Sequence, residues 1–291
     1  MIIDAHNHPD WWGKDYEQVI EDMDACGIDK TWLLSWECPE NEYDPKQRHR
    51  WNEYMGINGT YPAAFSRCLA YKRKNPERFI LGFAPDPRDP SAIDRMQAAL
   101  DLYRVRVCGE VKLRMMYDNP DAVEFFRFCG EKKLPVTLHF DYPIPTGVKY
   151  PRRSWWYGGD MDTLERLLQK CPDTIFLGHA PGFWCNISND GQIDTLYPQG
   201  PVVREGRVSV LLRQYPNLYC DISARSGRNA FERDRSYAVE FIDEFQDRIL
   251  YGRDLFDNLH QEVIDSLPLS NEIREKIYWK NASHLLGGDL S

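Results

Sequence analysis

Eight short apolar, β-rich runs recur along this chain, each followed by polar, Gly or Pro residues and separated from the next by a stretch with helical periodicity. They occupy residues 1–5, 30–36, 78–84, 109–114, 135–140, 174–180, 218–223 and 248–253. A short apolar run without alternation suits a strand buried on both faces. Between the runs, residues 15–26 carry Val19, Ile20 and Met23 on one face and stop before Gly27. Residues 91–106 carry Ile93, Met96, Ala99, Leu100 and Tyr103 in the same way. Residues 121–132, 162–170, 203–215 and 234–245 repeat the pattern, and 264–286 hold closing helices broken around Pro268. Strands that alternate with helices pair in parallel. Eight of them in 291 residues predict an α/β fold, the (β/α)8 or TIM barrel, as a single domain over 1–291. An open doubly wound sheet is the rival, but no Gly-x-Gly-x-x-Gly follows any run, so nothing indicates a dinucleotide site.

The polar residues at the ends of these runs carry the chemistry. The first reads Ile3-Asp4-Ala5-His6-Asn7-His8, and in extended backbone positions i and i+2 point the same way. His6 and His8 are then a ready pair of ligands for a divalent metal, unless they are surface residues of a polar turn. The other runs bear on that choice. The fourth places Glu110 and Lys112 on one face, the fifth ends in His139, the sixth in His179, the seventh carries Asp221 and the eighth ends in Asp254. Charged groups inside apolar runs are costly to bury unless paired or metal-bound. Here nearly all fall at the same end of their strands and so point at one rim. Of the seven histidines only His49, His260 and His284 lie elsewhere. Two long connections, 37–61 and 141–159, leave that rim and are expected to act as functional lids.

The ordered set Ile3-Asp4-Ala5-His6-Asn7-His8, Glu110-Val111-Lys112-Leu113, Leu138-His139, Leu177-Gly178-His179-Ala180 and Tyr251-Gly252-Arg253-Asp254 resembles the amidohydrolase superfamily of metal-dependent barrels. Within it the chain is most similar to the branch that includes aminocarboxymuconate-semialdehyde decarboxylase and related decarboxylases, hydratases and lactonases. The resemblance implies His6, His8, His139 and Asp254 as metal ligands. It gives His179 as a second-metal ligand or an acid/base. On the fourth strand many relatives use a lysine, for which Lys112 is the candidate. The TatD-like deoxyribonuclease branch uses a glutamate in a Gly-Glu context like Gly109-Glu110. Glu110 is favoured here because it binds a metal without modification. With Glu110 as a ligand a two-metal site becomes available; otherwise one metal is expected.

Mixed imidazole and carboxylate ligands suit Zn2+ first, with manganese or iron where carboxylates dominate. Such an ion lowers the pKa of a bound water from ~15.7 toward ~7. In the family, the aspartate matching Asp254 takes the proton from that water and passes it to the leaving group; a helix N-cap is its plain structural alternative. Arg152, Arg153 and Trp155 crowd the connection after the fifth run, Arg225 and Arg228 follow the seventh, and Arg48-His49-Arg50-Trp51 lies after the second. Arginines beside aromatics on a rim suggest an anionic, flat substrate; solvent-exposed loop arginines are the alternative. The leading expectation is a hydrolase acting on a small amide, ester or lactone. The alternative is a nonoxidative decarboxylase or hydratase of an aromatic or dicarboxylic acid, and a non-catalytic metal-containing barrel comes third.

A formal net charge of −9 argues against a nucleic-acid partner. The eight cysteines form no Cys-x-x-Cys pair and read as reduced core residues. No basic-then-apolar leader and no bilayer-length apolar run occurs, so a cytoplasmic location without a membrane partner is expected. The partner is a small molecule; a homo-oligomer is compatible with the sequence.

Overall fold

The computed structural model describes residues 1–42, 62–141 and 156–290. Each predicted run overlaps a strand: β1 Ile3–Asn7, β2 Lys30–Leu34, β3 Phe79–Gly82, β4 Cys108–Val111, β5 Val136–His139, β6 Phe176–His179, β7 Leu218–Asp221 and β8 Ile249–Leu250. A parallel ladder joins β1, β2 and β3, and a second joins β4 through β8 in chain order. The ladders meet at two seams through a few backbone hydrogen bonds. At one, Gly82 bridges Val107 and Phe83 N–H donates to the Val107 carbonyl at 3.0 Å. At the other, Ala5 N–H donates to the Tyr251 carbonyl at 2.9 Å. The strands therefore follow one another around a (β/α)8 barrel whose last and first members touch.

Alternation along the strands separates two apolar layers. Ile3, Ala5, Trp32, Leu34, Ile80, Val107, Leu177 and Leu250 form one buried cluster, joined by Ala282 and Leu286 of the closing helices. Leu33, Phe79, Leu81, Cys108, Val136, Leu138, Phe176, Leu218 and Ile249 face the surrounding helices in the larger cluster. Local signals set the helix starts. Asp15 caps Tyr16–Ala25 through a reciprocal box with Gln18, and Asn119 followed by Pro120 opens Pro120–Glu131.

The structure departs from the expected elements chiefly at the last strand, in two helices and in the closing region, and it adds a short antiparallel pair, Trp36–Glu37 with Pro62–Ala63. The last strand stops at Leu250 because the backbone beyond it bonds elsewhere: Tyr251 N–H to the Ile277 carbonyl (2.9 Å) and Asp254 N–H to the His6 carbonyl (2.8 Å). Two helices, Phe65–Lys74 and Ala224–Glu232, form where no helix was expected. The first buries Phe65, Cys68 and Tyr71 and ends in Lys72-Arg73-Lys74, an apolar face too narrow to stand out. The second contains Ser226, Gly227 and Asn229, poor helix formers. Gly227 is required there, since a Cβ would lie 2.3 Å from the Ile222 carbonyl oxygen. The closing region begins earlier than expected, at Leu259, and includes a π turn over Lys276–Lys280.

Candidate active site

All the strand-end candidates except Lys112 converge at the carboxyl ends of the strands. Register places them side by side: His139 pairs with His179 across β5 and β6, and Gly178 pairs with Cys220, which brings His179 beside Asp221. Glu110 lies at the centre. Its Oε2 is 3.2 Å from His8 Nε2, while its Oε1 is 3.8 Å from His6 Nε2 and 3.7 Å from His179 Nε2. His139 joins the group by donating from Nδ1 to Glu110 Oε1 at 2.5 Å, with its Nε2 3.3 Å from Asp141. Asp254 reaches the opposite side of His8, 3.7 Å from its Nε2, and at 15% side-chain exposure it is the most open carboxylate of the set.

Groups behind the imidazoles fix which nitrogen faces inward. Asp221 accepts from His6 Nδ1 at 3.1 Å and from His179 Nδ1 at 3.0 Å. The Ser223 hydroxyl lies 2.9 Å from the same His179 nitrogen and donates to Asp221. His8 Nδ1 donates to the Leu34 carbonyl at 2.9 Å. All three Nε2 atoms are thereby turned toward the cluster, the arrangement in which carboxylates and carbonyls hold metal-binding histidines. Burial raises the Asp221 carboxyl pKa, but the His179 and His6 imidazoles outweigh it and hold the group well below the usual carboxylate range. Glu110 is likewise lowered: burial opposes ionisation, and His139 overcomes it.

The donor set fits a divalent metal. One ligand atom each from His6, His8 and Asp254 lies within 4.8 Å of the others, and the same holds for His6, Glu110 and His179. The two triads share His6. His6 Nε2, His179 Nε2 and Asp254 Oδ1 are buried and have no hydrogen-bond partner among the described residues. Buried polar atoms left in this way are costly unless something completes them.

A second layer ties the first strand to the last. Asp4 and Arg253, both fully buried, pair at 2.9 Å, and Asp4 also accepts from the backbone N–H groups of Arg253 (2.9 Å) and His6 (3.2 Å). Trp11 packs edge-on against the His8 ring at 5.6 Å and donates from Nε1 to the Asp254 carbonyl at 2.6 Å. Tyr157 stands edge-on to His139 at 5.9 Å.

The supporting roles of Asp221, Asp4, Arg253 and Trp11 were not assigned from the sequence. Asp4 and Arg253 did carry a signal, being opposite charges inside two apolar runs, but their pairing needs the fold. Lys112 sits apart from the imidazoles, with its Nζ over the Trp36 ring. Arg225 stacks on Tyr197 at 4.3 Å, and Arg228 Nε lies 3.5 Å from Glu232 on the helix after β7. Arg152, Arg153, Trp155 and the cluster Arg48-His49-Arg50-Trp51 lie outside the described residues, as does most of both long connections. All eight cysteines are free and seven are buried. No helix among the described residues is long and apolar enough to cross a membrane.

A family profile described as Amidohydrolase matches residues 3–288. Among curated proteins, none matches the sequence. Solved structures match across nearly the whole chain. An uncharacterised TIM-barrel protein from Bordetella bronchiseptica is 18% identical, with a TM-score of 0.62 over 99% of this chain and 98% of that one. A dihydroxybenzoic acid decarboxylase from Polaromonas, with bound manganese and the inhibitor 2-nitroresorcinol, is 17% identical, with a TM-score of 0.60 over 98% and 96%. A 2,6-dihydroxybenzoate decarboxylase from Rhizobium is 16% identical, with a TM-score of 0.59 over 98% of both chains.

Proposed function

This chain belongs to the amidohydrolase family of metal-dependent barrel enzymes, and from that premise we propose that it is a nonoxidative decarboxylase of a small planar acid. The observation that carries this reading is the pairing of a metal-ligand cluster with aromatic walls. Trp11 flanks His8, and Tyr157 flanks His139. Flat rings beside a polar centre suit a flat substrate. Two of the structural relatives are decarboxylases of dihydroxybenzoic acids, which supports decarboxylation over the hydrolysis expected first.

His6, His8, Glu110, His139, His179 and Asp254 would hold one or two divalent ions, zinc or manganese. Such an ion, when bound, supplies Lewis-acid attraction for substrate oxygens and for the negative charge that develops. The protein residues do the rest. Asp221 and the Leu34 carbonyl keep the imidazole Nε2 atoms facing the centre. When the carbon–carboxylate bond breaks, carbon dioxide departs and the bonding pair stays on the ring carbon, which then needs a proton. Asp254, the most open carboxyl of the cluster, is the proposed donor, and solvent reprotonates it. His179, set by Asp221 and Ser223, is the second acid/base candidate.

One observation favours hydrolysis as a second reading. Asp254 Oδ1 is buried without a hydrogen-bond partner among the described residues, and a carboxylate so placed suits a base that takes a proton from water. The two separate in one experiment. The protein, purified without added metal, is analysed for metal and then offered hydroxybenzoates, dicarboxylic acids, lactones and amides. About one to two equivalents of transition metal and carbon dioxide release that disappears in Asp254→Asn are expected. Turnover of a lactone or amide without carbon dioxide would put hydrolysis in its place. Failure to take up metal on reconstitution would sink both.

A further inference from the structure

Lys112 is a buried ammonium that makes no ion pair among the described residues. The residue is 7% exposed, and its Nζ lies 4.2 Å from the centre of the Trp36 ring and 5.3 Å from that of Tyr157. Trp36 also anchors the backbone here, donating from Nε1 to the Lys112 carbonyl at 2.9 Å. The acids around this part of the rim are engaged elsewhere. Glu42 is bound by Arg88 Nη1 (2.6 Å) and the Arg114 N–H (2.9 Å), and Asp141 lies against His139 Nε2 (3.3 Å). Aromatic faces attract a cation but offset only part of its lost hydration. An ammonium held in this way is short of one anion. It also lies one ring away from the candidate reaction centre, since Tyr157, whose ring lies 5.3 Å from Lys112 Nζ, stands edge-on to His139 at 5.9 Å.

We propose that Lys112, capped by Trp36 and Tyr157, is the subsite for a second anionic group of the substrate, one that the product retains. The inference rests on the reading of the imidazole–carboxylate cluster as the reaction centre. It adds that the substrate carries two acidic groups, one at the cluster and one at Lys112. Chemistry determines which is which. A carboxylate that leaves as neutral carbon dioxide loses its charge, so an ammonium bound to it would oppose the reaction. An ammonium bound to a retained carboxylate or phenolate only positions the ring. The substrate class is therefore a planar diacid or an acidic hydroxy acid.

The test uses the metal-reconstituted protein and two probes that need no turnover: isophthalate, with two carboxylates, and benzoate, with one. Calorimetry on the wild type is expected to show isophthalate binding at least about tenfold more tightly than benzoate. Lys112→Gln removes that preference and leaves benzoate affinity within about twofold, while Lys112→Arg keeps most of it. Two results overturn the proposal. One is a wild type that shows no preference for isophthalate or binds neither probe. The other is a Lys112→Gln protein with a lowered melting temperature and both affinities unchanged, which would make the lysine a brace between β4 and Trp36. If Lys112→Arg folds where Lys112→Gln does not, the same comparison is read against wild type, and retained preference in the arginine protein supports the subsite. A Lys112-dependent preference in a protein that releases no carbon dioxide from any acid would leave the subsite standing and remove the decarboxylase reading.

Discussion

One carboxylate, Asp221, decides how two imidazoles present themselves. It takes the Nδ1 protons of His6 and His179, so the Nε2 lone pairs of both rings point at Glu110. The cost of burying it is offset by those rings, and that is why its carboxyl stays ionised. Asp221→Asn keeps the shape but replaces one acceptor oxygen with a donor NH2, which opposes one of the two Nδ1–H groups. Metal affinity is expected to fall about 10- to 100-fold, as measured by competition against a chelator, with the folded structure retained. Backbone conformation adds to the same picture. Asp10, Trp12, Ala180, Ala224 and Asp254 all have left-handed φ values between 52° and 78°, and all lie just past the carboxyl ends of β1, β6, β7 or β8. Non-glycine residues adopt such values where the surroundings hold them, and here they turn the chain sharply beside His8, His179 and Asp254. Asp221 was visible as a charge at the end of an apolar run. Its service to two histidines was not, because His6 is 215 positions away in sequence and comes within 3.1 Å only on folding.

The first and last strands depend on one another through the Asp4–Arg253 pair. Asp4 spends both oxygens on β1 and on the segment after β8: Oδ1 on the N–H groups of Arg253 and His6, Oδ2 on Arg253 Nε and Asn7 Nδ2. This clamp fixes the backbone that carries His6, His8 and Asp254. Asp4→Ala would leave Arg253 buried without its fully buried carboxylate partner, keeping Asp22 (2.8 Å) and the Asp257 carbonyl (3.3 Å). The expected loss is about 3–5 kcal/mol in denaturant unfolding, together with weaker metal binding. The last strand is short because Tyr251, Arg253 and Asp254 give their N–H groups to Ile277, Asp4 and His6 rather than to β7. Such exchanges leave no periodic trace, so the sequence predicts a longer strand. The two unexpected helices have separate origins. Ala224–Glu232 is stabilised by what it packs against rather than by intrinsic preference, while Phe65–Lys74, though rich in Arg, Lys and Leu, has an apolar face too narrow to stand out.

For the molecule as a whole, the barrel gathers side chains from six strands onto one rim and leaves several of their donor atoms incomplete. A ligand that binds only the folded form raises its stability by mass action. Metal removal with a chelator is therefore expected to lower the melting temperature, and added zinc or manganese to restore it in a concentration-dependent way. Calorimetry at several metal concentrations checks this; a transition temperature indifferent to metal would mean that the cluster is complete without it. The repeating apolar runs were enough to establish the alternation of strand and helix, because burial on both faces leaves its mark directly on composition and spacing. They also marked the rim, because charge inside such a run must find a partner, and the chain places that charge at one end of each strand. Glu110 and Lys112 share a face of one strand and could not be told apart in that way. Folding separates them: Glu110 enters a ring of imidazoles, while Lys112 is covered by Trp36 and Tyr157. That outcome depends on which side chains the neighbouring strands and loops bring within a few ångströms, a property of packing across the barrel and not of any stretch of sequence.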